Sequence, residues 1–186
     1  MIGRARVANG MLRFGACIVA AIVASSVVGG PLPIVWAVGL VVVLIGDRAI
    51  FKRVLAEAEA GRTPKRMIGL AAWTAAQSVY GNLLAIMLWF SPYLPGETLA
   101  AMYILGGLAN AAATLRASPA LSVAGAGPTV AFMLGLPVAD YLINGANPLD
   151  LMPLVAGLLV LGFGVSLWRS LLASDAAQAQ DQKTRD

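Results

Sequence analysis

The sequence contains no histidine, a single cysteine at position 17, and few charges, with 12% of its 186 residues Asp, Glu, Lys or Arg. Without an imidazole there is no His general base, no Ser-His-Asp triad and no His-ligated metal. One cysteine cannot close an intramolecular disulfide, and Cys17 lies inside the first apolar run, where a thiol packs as a small hydrophobe. Carboxylates are sparse too. Of Asp47, Glu57, Glu59, Glu97, Asp140, Asp150, Asp175, Asp181 and Asp186, none falls at the expected midplane of an apolar run. Intramembrane carboxylates are the usual mark of a proton or ion path, so their scarcity argues against a pump or coupled transporter.

What is present is apolar. Hydrophobic residues make up 59% of the chain, and its mean hydropathy is +0.81. Soluble domains average about a quarter charged residues, so the missing solvent is read as lipid. Apolar segments recur as far as residue 172 rather than forming one removable signal, which excludes a mature secreted protein. The net charge of +4 and pI near 9.6 do not point to nucleic acid, because the basic residues flank apolar runs as they do beside anionic headgroups.

A helix needs about 20 residues to cross the hydrocarbon. The sequence predicts an all-α polytopic protein with six such spans, near Leu12–Gly29, Pro31–Phe51, Met67–Phe90, Thr98–Leu115, Leu121–Ile143 and Leu149–Leu172. Asp47 and Arg48 shorten the second, where Arg48 can snorkel to the interface. Gly29-Gly30-Pro31 breaks the first pair into a hairpin, and Pro is well tolerated where a helix begins. All thirteen Lys and Arg residues fall at one end of these spans, from Arg4, Arg6 and Arg13 to Arg169, Lys183 and Arg185. The connectors Gly29–Pro31, Ser91–Glu97 and Asn144–Pro148 carry none. Positive loops stay in the cytoplasm, so both termini are expected inside, in a bacterial inner membrane. Trp89, Phe90, Tyr93, Tyr141 and Trp168 mark interfaces. The loop Lys52–Arg66 reads as a helical extension of span two, stopped at Gly61.

Three groups inside the spans are candidates for function. Thr74, Gln77 and Ser78 share a face of span three with Gly81, and Tyr103, Asn110 and Thr114 line a stripe of span four with Gly106 and Gly107. Small residues let helices approach and amides bond across the contact, so spans three and four are expected to pack here, as a structural seam or a signal-sensitive one. Gly125, Gly127 and Pro128 form a candidate kink in span five, since Pro removes a backbone bond and Gly eases the bend. Gly125-Ala-Gly127 is not a phosphate loop, for no strand precedes it and no Lys-Ser/Thr follows. Trp168 and Arg169, at the inner end of span six, are a candidate signal exit. No carboxylate pair, Ser-Lys dyad or metal-ligand cluster emerges, so neither an enzyme nor a cofactor is expected.

The six-span block, the turn Leu115-Arg116-Ala117-Ser118-Pro119, the exit Trp168-Arg169-Ser170-Leu171-Leu172 and the polar segment Ala173–Asp186 resemble the membrane-spanning input region of bacterial sensor histidine kinases. Hybrid kinases without a large periplasmic domain are the nearest in pattern, and some diguanylate cyclases have similar front ends. The resemblance implies a homodimer, formed through a cytoplasmic continuation of residues 173–186, and signalling by helix movement. It transfers no catalytic residue, since this chain holds neither a phosphoacceptor histidine nor a nucleotide-binding motif. A small multi-pass transporter or channel, and a membrane scaffold, are the alternative readings.

Overall fold

The computed structural model describes residues 10–60, 67–93, 95–115, 118–144 and isolated positions between 155 and 169. Among the described residues it is all α, with five helices: α1 Gly10–Val28, α2 Leu32–Glu59, α3 Met67–Trp89, α4 Gly96–Leu115 and α5 Pro119–Asn144. The segment expected as span six, the loop 61–66 and the tail 173–186 lie outside the described residues, apart from single positions in the first of these.

Two helices, over Leu32–Glu57 and Pro119–Asn144, are long and apolar enough to cross a membrane by length and composition. The others fall short for identifiable reasons. The apolar part of α1 is confined to Arg13–Val28. α3 is diluted by Thr74, Gln77, Ser78 and Asn82, and α4 by Glu97, Asn110 and Thr114.

Each boundary has a local cause. Gly29 and Gly30 both take positive φ, 73° and 72°, a conformation that costs other L-residues roughly 1–2 kcal/mol each. The Gly29 amide closes α1 on the Ser25 carbonyl, and the Pro31 carbonyl accepts from the Ile34 and Val35 amides to start α2. α2 continues through the Ala-Glu repeat to Glu59, beyond the expected end of the span. Ser118 caps α5: its hydroxyl accepts from the Leu121 amide, and Pro119 takes the first helical position, where a missing N–H goes unmissed. Ser122 Oγ then donates to the Leu115 carbonyl at the end of α4. The Ser-Pro half of the turn quoted above is therefore a helix cap, while Arg116 and Ala117 lie outside the described residues.

The contacts divide the chain into two units, Met1–Leu136 and Pro137–Asp186. In the first, α1 packs on α2 and α3, and α3 packs on α2 and α4. Each helix buries one stripe: Arg13, Cys17, Ala21 and Ala24 turn inward from α1, and Trp36, Leu40, Asp47 and Phe51 from α2. A cluster of Phe51, Leu70, Ala111, Leu115 and Leu121 joins the end of α2, the start of α3, the end of α4 and the start of α5. The opposite face of α2 is apolar and exposed. Leu32, Ile34, Val35, Val38, Val42 and Ile45 are 56–66% exposed. In the second unit, Asn144 Nδ2 donates to the Asp140 carboxylate one turn back, and Arg169 is helical and exposed.

Candidate functional site

The site begins with three side chains from three helices. Arg13 Nη1 donates to Asp47 Oδ2 at 2.9 Å, joining α1 to α2 across the hairpin. Gln77 of α3 completes the ring: its amide nitrogen donates to Asp47 Oδ1 at 2.9 Å and its carbonyl accepts from Arg13 Nη2 at 2.7 Å. The amide orientation is dictated by its neighbours, since a carboxylate only accepts and a guanidinium only donates. Asp47 is 2% exposed. Sequence reading placed Asp47 near the end of a span and counted Arg13 only as a topology signal, so the ion pair was missed. A signal existed. Arg13 lies 16 residues before Gly29 and Asp47 17 residues after Gly30, so a tight antiparallel hairpin brings them level.

A second hydrogen-bonded group ties α3 to α5. The Ser78 hydroxyl donates to the Gly125 carbonyl at 2.7 Å, which commits its only proton. Thr129 Oγ1 lies 3.0 Å from Ser78 Oγ, accepts from Asn82 Nδ2 at 3.0 Å, and is 3.5 Å from the Gly125 carbonyl of its own helix. The other Asn82 proton goes to the Ser78 carbonyl at 2.8 Å. Interhelical bonds of this kind contribute on the order of 0.6 kcal/mol each within a membrane. Gly125 is at a close approach, because a Cβ there would run into the Leu115 side chain and lie 3.4 Å from Thr74 Cγ2. Gly127 has open space, and α5 remains helical through Pro128.

The amides expected to bridge spans three and four do not meet one another. Gln77 is engaged with α1 and α2, whereas Asn110 is exposed. α3 and α4 are joined instead by Tyr103, whose hydroxyl donates to the Gly81 carbonyl at 3.0 Å. Thr74 and Thr114 bond back to carbonyls of their own helices, Leu70 and Asn110. This is the cheapest way to satisfy a hydroxyl in apolar surroundings, and it keeps both hydroxyls within their own helices. Trp168 lies outside the described residues.

The polar groups border a cleft of about 450 Å³, lined by Arg13, Cys17, Gln77, Ser78, Asn82, Tyr103, Asn110 and Thr129 together with Gly81, Gly106, Gly107 and Gly125. Asn110, Gly106 and Gly107 remain exposed although they line it, so the cleft is open rather than sealed. No group of three or more His, Cys, Asp or Glu able to hold a metal exists among the described residues. Comparison with family models, with curated proteins and with solved structures finds no match for this chain.

Proposed function

We propose that this chain is the membrane-embedded sensory input region of a signalling protein, a six-span N-in/C-in domain of a bacterial inner membrane. One observation carries the reading: a ring of Arg13, Asp47 and Gln77 ties α1, α2 and α3 together at the wall of an open polar cleft. Occupancy of the cleft and packing of three helices are thereby one equilibrium, and a ligand that favours one packing shifts its population. The shift passes into a cytoplasmic output region through the segment containing Trp168 and Arg169.

Membrane embedding is supported by the bare apolar face of α2, which a soluble core helix would bury. Charge asymmetry across the connectors supports the orientation. The buried ion pair favours a second reading, transport, since intramembrane charges often mark a translocation path. Against it, Asp47 and Arg13 engage each other and Gln77 in a closed ring, so the Asp47 carboxylate is not poised to exchange a cation.

The test uses the full native reading frame in inverted membrane vesicles, with transfer of labelled phosphate from ATP as the readout. The expected result is phosphorylation that changes when Gln77→Leu opens the ring. Absence of phosphotransfer and of cyclic-dinucleotide synthesis, or an output unmoved by Gln77→Leu, contradicts the proposal.

A further inference from the structure

Three cations stand exposed toward the end of α2. Arg48, Lys52 and Arg53 make no ion pair with another described residue, whereas Arg13 spends its charge on Asp47. Glu57 follows one turn beyond Arg53, so the patch keeps a positive excess. The cations continue an apolar stripe. Val38, Val42, Ile45 and Ala49 are spaced four, three and four residues apart, which puts them on one face, and Lys52 extends the series. All four are exposed, and the small Ala49 leaves room between the longer side chains of Arg48, Lys52 and Arg53.

We infer that this face of α2 holds an anionic phospholipid, its phosphate among Arg48, Lys52 and Arg53 and an acyl chain along Ile45, Val42 and Val38. The inference rests on reading the chain as membrane-embedded, and is independent of whether it signals. Charge selects the head. Basic residues beside a span attract anionic lipid, and a zwitterionic head would bring its own cation to a patch that already has an excess. Depth selects the tail. Val42 lies ten residues, roughly 15 Å, from Lys52 along the helix. The hydrocarbon of one leaflet is also about 15 Å deep, so a chain hanging from the phosphate runs past Ile45 to Val42 and Val38. A soluble anion would meet the cations but leave that stripe unused. A second copy fits the stripe but not the charges. Two copies inserted in the same orientation would meet here as a parallel pair, setting Lys52 and Arg53 against the same residues of the other copy, and like charges so placed repel.

The experiment places the full chain in phosphatidylcholine nanodiscs with a trace of phosphatidylglycerol carrying a diazirine in mid-chain, then maps photolabelled positions by mass spectrometry. Label is expected between Val38 and Ile45. Unlabelled phosphatidylglycerol in the disc removes it, while glycerol phosphate in the buffer does not. Lys52→Gln/Arg53→Gln, at exposed positions outside the core, raises the phosphatidylglycerol needed for half-competition about thirtyfold. Taking the same charge from the last residues, with Lys183→Gln/Arg185→Gln, leaves that point unchanged. Competition by glycerol phosphate, a half-competition point that Lys52→Gln/Arg53→Gln does not move, or an equal shift in both double variants overturns the inference. So does efficient disulfide formation between copies at Val42→Cys in a Cys17→Ala chain, which would put a second copy on the stripe. If the chain fails to enter nanodiscs at all, the membrane reading fails with it; a chain that inserts but shows no competition by phosphatidylglycerol sinks this inference alone.

Discussion

At the residue scale, the ring of Arg13, Asp47 and Gln77 is the least forgiving feature, because its two charged members differ in burial. The Asp47 side chain is 3% exposed and that of Arg13 17%. Removing Arg13 takes an ion-pair partner from a buried carboxylate, whereas an Arg without Asp47 can extend its long stem toward the interface. Arg13→Ala is therefore expected to cost about 3 kcal/mol or more, and Asp47→Ala less, in reversible unfolding by detergent titration. The double variant should be more stable than the sum of the two losses implies, with a coupling above about 1 kcal/mol. Simple additivity would show that the two charges do not sense each other. The pair was legible in principle from nearly equal distances to the Gly29-Gly30 turn, but hydropathy alone averages a buried charge into its apolar neighbours. The hydroxyls of Thr74 and Thr114 illustrate the opposite failure. Their spacing resembled that of Gln77 and Ser78, yet each turns back on its own helix, a choice that residue type and periodicity leave open.

At the scale of elements, α2 and α3 meet through glycine and aromatic residues spaced seven apart. Gly39 lies under Tyr80, and Gly46 under the Trp73 ring, 3.2 Å from where a Cβ would stand. The register is locked by a reciprocal pair: Trp36 Nε1 donates to the Tyr80 carbonyl and the Tyr80 hydroxyl to the Trp36 carbonyl, both at 3.1 Å. A methyl added at Gly39 would collide with the Tyr80 hydroxyl, so Gly39→Ala is expected to destabilise by about 1–3 kcal/mol. Removing that hydroxyl in Gly39→Ala/Tyr80→Phe should restore part of the loss. Tyr80→Phe alone should be mildly destabilising, as it gives up a single hydrogen bond. If the double variant unfolds no later than Gly39→Ala, the close contact is not the cause. Helix positions were the most readable part of the sequence, since α1, α3, α4 and α5 begin and end within two residues of the apolar runs. α2 runs eight residues past Phe51 because its Ala-Glu extension is helix-forming without being apolar. Packing partners were less readable: the polar face of α3 bonds to α1, α2 and α5, which its own periodicity cannot specify.

At the scale of the whole molecule, composition decides more than any motif. Two of the five described helices satisfy length and apolarity for a membrane crossing, and the six spans proposed above extend this to helices that are shorter or more polar. In α3 the polar side chains of Thr74, Gln77 and Asn82 are buried among the helices. The polar cleft was partly legible, since Gln77, Ser78, Tyr103 and Asn110 all line it. Its partners from α1 and α5, Arg13 and Thr129, come from elements far away in sequence.

The most direct measurement is the accessibility of single cysteines to a membrane-impermeant maleimide in intact cells. Cys17 is the only cysteine, so Cys17→Ala supplies the background in one step. The account expects Tyr93→Cys to react from outside, Ala60→Cys to react only after lysis, and Val38→Cys to resist labelling in both states. Reaction of residues 60 and 93 from the same side, or recovery of the chain without membranes, would contradict it.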